Sequence, residues 1–240
     1  MSTRVIFELC AETLQACIAA RDGGADRIEL CSALSEDGLT PSHGLIGAAV
    51  QQSGLPVHVL IRPRGGDFVY SDGEFALMRE DIRHARALGA SGVVIGVLKR
   101  NNTIDVERTR ELMMHAGTLE VSFHRAFDLV ADQDAALEEL IQLGCQRLLT
   151  SGGKSDAVLG AENLAHLVRL ADDRIQIAAG GGVRLENAAK LVRESGVPQL
   201  HGSLRRKVPV SPESVLSGQA TAYIVDAADV RAIVDTLERS

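Results

Sequence analysis

A chain of 240 residues with a formal net charge of −7 offers no basic face for nucleic acid or for an anionic membrane. Hydrophobic residues make up 45% of it and aromatic residues only 3%, with no tryptophan, so the core has to be aliphatic, as in parallel sheets. The amino terminus shows no signal-peptide pattern, no apolar run is long enough to span a bilayer, and four cysteines do not make a secreted disulfide framework. The expected location is cytoplasmic.

In chain order, the first element is the aliphatic run VIFELC from Val5, followed by an amphipathic stretch over 12–20. Gly24 then opens GADRIEL, the first copy of a recurring pattern: a helix-ending glycine, a short connector and an aliphatic run. GLPVHVLI at Gly54, GASGVVIG at Gly89 and GTLEVSFH at Gly117 repeat it, as do GCQRLLTSG at Gly144 and GVPQLHGS at Gly196. Glycine supplies the left-handed residue that stops a helix before the chain enters a strand. The recurrence at about thirty residues matches one βα unit. RIQIAAGGG from Arg174, entered through Asp172-Asp173, completes a set of eight strands. Helical periodicity runs over 74–88, 132–143 and 161–170, and Asp226 reads as the N-cap of a closing helix over 226–238. Eight strands alternating with helices predict an α/β fold, a single-domain (β/α)8 TIM barrel over 1–240. The irregular stretch 204–224 reads as a long eighth loop, over the barrel mouth or at a subunit contact that would make a homodimer.

Strand alternation predicts which side chains enter the barrel. In FELC and IELC the larger aliphatic residues should face the helices, which turns Glu8, Cys10, Glu29 and Cys31 inward. The same count turns His58 and Arg62 inward from the third strand, Ser122 and His124 from the fifth, and His201 and Ser203 from the eighth. A structural interior would carry Val, Ile and Leu instead. Two carboxylates near Arg62, Arg125 or Lys99 read as buried ion pairs or as a cleft with chemistry; two Glu, two His and several Arg at one mouth favour the cleft. Arg62 is expected to pair with Glu8 or Glu29. Seven of these side chains, Glu8, Cys10, Glu29, Cys31, Arg62, His124 and His201, are expected to surround one cavity.

Three glycine clusters end strands: TSGG at 150–153, AGGGV at 179–183 and HGS at 201–203. Loops after the seventh and eighth strands of such barrels commonly hold a phosphate on backbone N–H groups, so Gly181, Gly182 and Ser203 are a candidate anion site, with Lys154, Arg184, Arg205 and Arg206 nearby. The alternative is that the glycines only permit tight turns. The run IRPRGGDFVYSDGE over 61–74 adds two arginines and a Phe68/Tyr70 pair expected to be exposed, suiting a lid or an anion clamp.

IELCSALSEDGLTPS, IRPRGGDFVYSDGE, FHRAFD, LTSGG and AGGGV together resemble the CutC family, from about Val5 to Ser203. The match loosens around HGSLRR. The resemblance implies a barrel, a role in copper homeostasis, and Cu(I) binding through Cys10 and Cys31 at the strand ends. Soft Cu(I) suits two thiolates, while the residues alone equally allow two small buried fillers. Cys17 and Cys145 should not reach the mouth. The competing reading from the residues is an enzyme of lyase, isomerase or hydrolase type acting on a phosphorylated or carboxylated small metabolite. There Glu8 or Glu29 would serve as base and His124 as acid, with Arg62 and Arg125 holding the anion.

Overall fold

The computed structural model describes residues 4–208 and 222–239. Eight parallel strands close in sequence order: β1 (Ile6–Ala11), β2 (Arg27–Leu30), β3 (Val57–Leu60), β4 (Gly92–Ile95), β5 (Glu120–Phe123), β6 (Arg147–Thr150), β7 (Gln176–Gly180) and β8 (Gln199–Gly202). Around them run α1 (Leu14–Gly23), α2 (His43–Gln52), α3 (Asp72–Ala87), α4 (Val106–Ala116), α5 (Gln133–Leu143), α6 (Ala161–Ala171), α7 (Leu185–Ser195) and α8 (Ala227–Glu238). This is the (β/α)8 barrel that the glycine–strand repeat predicts. No helix among the described residues is long and apolar enough to cross a membrane.

Local chemistry sets the boundaries. The Thr13 side chain accepts from the Ala16 N–H to start α1, and Gly24, at φ 83°, ends it in the left-handed region that glycine enters freely. Ser71 and Glu74 form a reciprocal capping box on α3. Asp132 and Asp226 cap α5 and α8 through their carboxylates. The stretch expected as one loop instead contains a short antiparallel ribbon, β9 (Arg206–Val208) with β10 (Ala222–Ile224). The rest of that expected loop, 209–221, lies outside the described residues.

The strand parity holds. Phe7, Leu9, Ile28, Leu30, Val93 and Ile95 are buried in the layer between barrel and helices. Each such side chain contributes about 1.5–3 kcal/mol by leaving water. Cys10, Cys31, Leu60 and Val94 form a separate cluster inside the barrel. The register between β1 and β2 places Glu8 beside Arg27 and Cys10 beside Glu29, so Cys10 and Cys31 are staggered rather than directly opposite. Barrel shear has this effect: closing a tilted sheet offsets equivalent positions on neighbouring strands.

Candidate functional site

At the carboxyl ends of the strands lies a cavity of about 580 Å³. Cys10, Glu29, Cys31, Arg62, His124 and His201 line it, joined by Arg125, Gly181, Gly182 and Ser203. Glu8, expected among them, is not a lining residue: it is fully buried below.

The floor is built by β1, β2 and β8. Cys10 Sγ and Cys31 Sγ stand 3.7 Å apart, and all four cysteines of the chain are free thiols. The hydrogen bond between the two thiols, reinforced by burial, holds the Cys10 thiol well above its usual pKa. Beside it sits Glu29, with Oε1 3.8 Å from the Cys10 sulfur and Oε2 buried with no partner. Burial raises the Glu29 carboxyl above its usual range, helped by the charge of Glu8. One ligand atom each from Cys10, Glu29 and His201 lie within 4.8 Å of one another. Burial opposes a charge on His201, but Glu29, Cys10 and Glu8 raise its pKa well above the ordinary value. Cys17 and Cys145 are buried outside this site, and burial pushes both thiols up to about 12.

Below the floor, Glu8 is clamped by Arg147, whose Nη1 donates to Oε2 at 2.7 Å while Nη2 donates to Oε1. His201 Nδ1 lies 2.7 Å from Oε1, and Arg27 Nε lies 3.3 Å from Oε2. Burial would raise the Glu8 carboxyl, but Arg147, His201 and Arg27 together hold it well below the carboxylate range. Arg27 and Arg147, absent from the sequence expectation, are therefore the real counter-ions. Polar residues also line the opposite, amino end of the barrel, where His58 Nε2 lies 3.3 Å from Glu120. The inward-pointing His58 belongs there and not to the mouth.

Arg62 departs from expectation. It points inward and is buried, yet it pairs with neither glutamate. Its guanidinium donates to the carbonyl oxygens of Glu36 at 2.6 Å, Gly38 at 2.8 Å and Gly66 at 2.9 Å. These belong to the loops after β2 and β3, whose backbone acceptors have no ladder partner, so they outbid a distant carboxylate. Arg64 is likewise engaged, donating to Glu74 and Asp67. Tyr70, expected to be exposed, is buried in the core, and Phe68 is half-buried beneath the Arg62 guanidinium, 5.0 Å from its ring centroid. The arginines staple this loop.

His124 follows β5. Its Nδ1 accepts the Ala126 N–H at 3.1 Å, which places the proton on Nε2, and that atom is buried without a partner. Burial first, then the charge of Arg62, lowers its pKa to about 3, so the ring is neutral at physiological pH. A general acid would need the imidazolium; this ring offers a neutral N–H. Arg125 donates through Nε to Asp128 at 2.8 Å and through Nη2 to Ser151 Oγ at 2.8 Å. Asp128 also accepts from the backbone N–H groups of Ser151 and Gly153, tying FHRAFD to TSGG. A Cβ added at Gly181 would lie 3.0 Å from Arg125 Nη1, so the guanidinium rests against the AGGG turn.

The comparisons agree with this architecture. The CutC family profile matches residues 5–206. A relative named CutC from Chromobacterium violaceum is 47% identical over 203 residues, covering 85% of this chain and 82% of that one. Another, from Pasteurella multocida, is 41% identical and covers 97% of this chain and 99% of its own. The crystal structure of CutC from Streptococcus agalactiae, a protein assigned there provisionally to copper homeostasis, superposes with a TM-score of 0.80 at 38% identity, covering 83% of this chain and 98% of that chain. This chain belongs to the CutC family.

Proposed function

We propose that the protein is a cytosolic Cu(I)-binding protein of copper homeostasis, which takes the ion as cargo between Cys10 and Cys31. The observation that supports this reading is the pair of free thiols 3.7 Å apart on the floor of an open cavity, beside a buried Glu29 oxygen that has no partner. Cu(I) is soft and prefers thiolate and imidazole ligands over carboxylate. Metal–thiolate bonds run about 2.3 Å, so one ion reaches both sulfurs with a bent arrangement that leaves room for a third donor. His201 is the nearest nitrogen donor once it gives up its proton, and the raised pKa of Glu29 limits the negative charge it adds beside the two thiolates.

A competition titration against a strong Cu(I) chelator tests this. Cys10→Ser with Cys31→Ser should release copper at far lower chelator concentration than wild type, whereas Cys17→Ser with Cys145→Ser should not. Both thiols must lose protons on binding, and the Cys10 pKa is raised, so affinity should keep climbing with pH through the alkaline range. Equal copper retention by wild type and the Cys10/Cys31 double variant sinks the reading.

A second reading, an enzyme on a small anionic metabolite, is favoured by the raised pKa of Glu29 within a cavity far larger than an ion requires. In it Glu29 is the base and Arg125 holds the anion. Glu8 is excluded by its burial and its ion pairs, and His124 supplies a neutral N–H.

A further inference from the structure

The copper site uses only the floor of the cavity, under β1, β2 and β8. The facing wall, from the loops after β5, β6 and β7, has the opposite chemistry. Arg125, Lys154 and Arg184 line it, on a chain whose net charge is −7. The acid among them, Asp128, spends both oxygens on Ser151, Gly153 and Arg125. Cations concentrated at one concave mouth of an acidic protein draw in anions.

Backbone geometry adds a cradle. Gly181 and Gly182 sit consecutively at φ 98° and 71°, and α7 starts a few residues on. Such paired turns aim successive N–H groups at one point. The N–H groups of Gly182 and Val183 meet no acceptor among the described residues. Arg125 directs Nε and Nη2 to protein acceptors while Nη1, against Gly181, has none. Asp156, packed against Gly182, accepts the Leu159 N–H through Oδ1. A separate observation points the same way. His124, only 6% exposed and lining this cavity, keeps its Nε2 without any partner. A buried donor left empty keeps its full desolvation penalty unless something accepts from it.

We propose that this wall binds a small phosphorylated metabolite, its phosphate on the Gly182 and Val183 N–H groups between Arg125, Lys154 and Arg184, and its oxygenated carbon portion reaching His124. A phosphate carries close to two negative charges at neutral pH and three acceptor oxygens, which matches three cations and a pair of convergent N–H groups. This site stands on residues other than the copper ligands.

Calorimetric titration of metal-free protein tests it, with inorganic phosphate in one arm and glycerol 3-phosphate in the other. Because no copper is present, the fate of the copper reading does not affect the outcome. Both ligands should bind saturably, the ester more tightly. Lys154→Ala with Arg184→Ala, two exposed side chains whose loss leaves the fold alone, should weaken both by about tenfold or more, the loss of one or two charge-assisted hydrogen bonds. His124→Asn should weaken the ester and leave inorganic phosphate unaffected. Absence of saturable phosphate binding, or equal affinity in wild type and the Lys154/Arg184 variant, overturns the site. Equal binding of the two ligands by wild type reduces it to a free-phosphate site and overturns the metabolite.

Discussion

His124 shows how one backbone hydrogen bond sets the chemistry of a side chain. With Nδ1 committed to the Ala126 N–H and the ring buried near Arg62, protonation would add a second buried cation, and the pKa falls from 6.5 to about 3. A base with a depressed folded pKa contributes stability that is present above its unfolded value and lost as pH falls toward the folded one. Between pH 6.5 and about 3 the unfolded chain takes up a proton here that the folded chain refuses. The stability of wild type relative to His124→Asn should therefore fall by about 1.4 kcal/mol for each pH unit lost below 6.5. Asn keeps an oxygen for the Ala126 N–H, so the comparison isolates the titration. Denaturant titrations of both proteins at pH 7, 6 and 5 check it, and a constant difference across that range would falsify the neutral ring. Arg62 teaches a related lesson: residue type and parity identified a buried inward arginine, but its partners are three carbonyl oxygens that no sequence pattern marks.

At the scale of elements, the mouth is organised by loops holding one another. Asp128, in the short turn after β5, receives N–H groups from the loop after β6 and the guanidinium of Arg125, which in turn rests on the loop after β7. Asp128→Asn replaces one acceptor oxygen with an amide that faces donors. We expect a loss of about 1–3 kcal/mol in stability and faster amide exchange at Ser151 and Gly153, with helix and strand amides in the rest of the barrel unchanged. Exchange mass spectrometry or NMR reads this, and unaltered protection of the two amides would show that the carboxylate does not hold the loop. Alternation alone found the inward faces of β1, β2, β5 and β8, because a two-residue period survives any tertiary context. It stopped short at strand beginnings: the parity that turns Glu29 and Cys31 inward also turns Arg27 inward, and Leu149 and Ser151 share a face with Arg147. Those arginines were readable by extending the count one step, but charged residues at strand starts look like surface. The stagger of Cys10 against Cys31 was not readable, since shear is a property of the closed barrel and not of any one strand.

Across the whole molecule, the Glu8 cluster joins the ends of the sequence to its middle. Glu8 on β1 pairs in the ladder with His201 on β8, closing the barrel, while its carboxylate reaches across the interior to Arg147 on β6. Glu8 and Arg147 are nearly inaccessible, His201 is partly exposed to the cavity, and Arg27 on β2 completes the set. Buried ion pairs are weak evidence of net stabilisation, yet removing one partner is costly because the other charge stays behind. Glu8→Gln strands two arginines in the interior and should destabilise by about 3–5 kcal/mol. Arg147→Met leaves the carboxylate with Arg27 and His201 and should cost less. The double variant should recover part of the Glu8→Gln loss, since it removes one of the stranded cations; coupling of this kind is expected between groups in one network. The sign with pH follows from the depressed Glu8 pKa: its contribution is present above the ordinary carboxylate range and lost as pH falls through the lower folded value. The wild-type advantage over Glu8→Gln should therefore be full at pH 7 and shrink steadily below about pH 4.5, the usual carboxyl value. Guanidinium unfolding of the wild type, both single variants and the double variant at pH 7 and pH 4 measures all of this. Strict additivity of the two substitutions would mean that Glu8 and Arg147 act separately, and that the barrel is closed by its ladders and apolar layers alone.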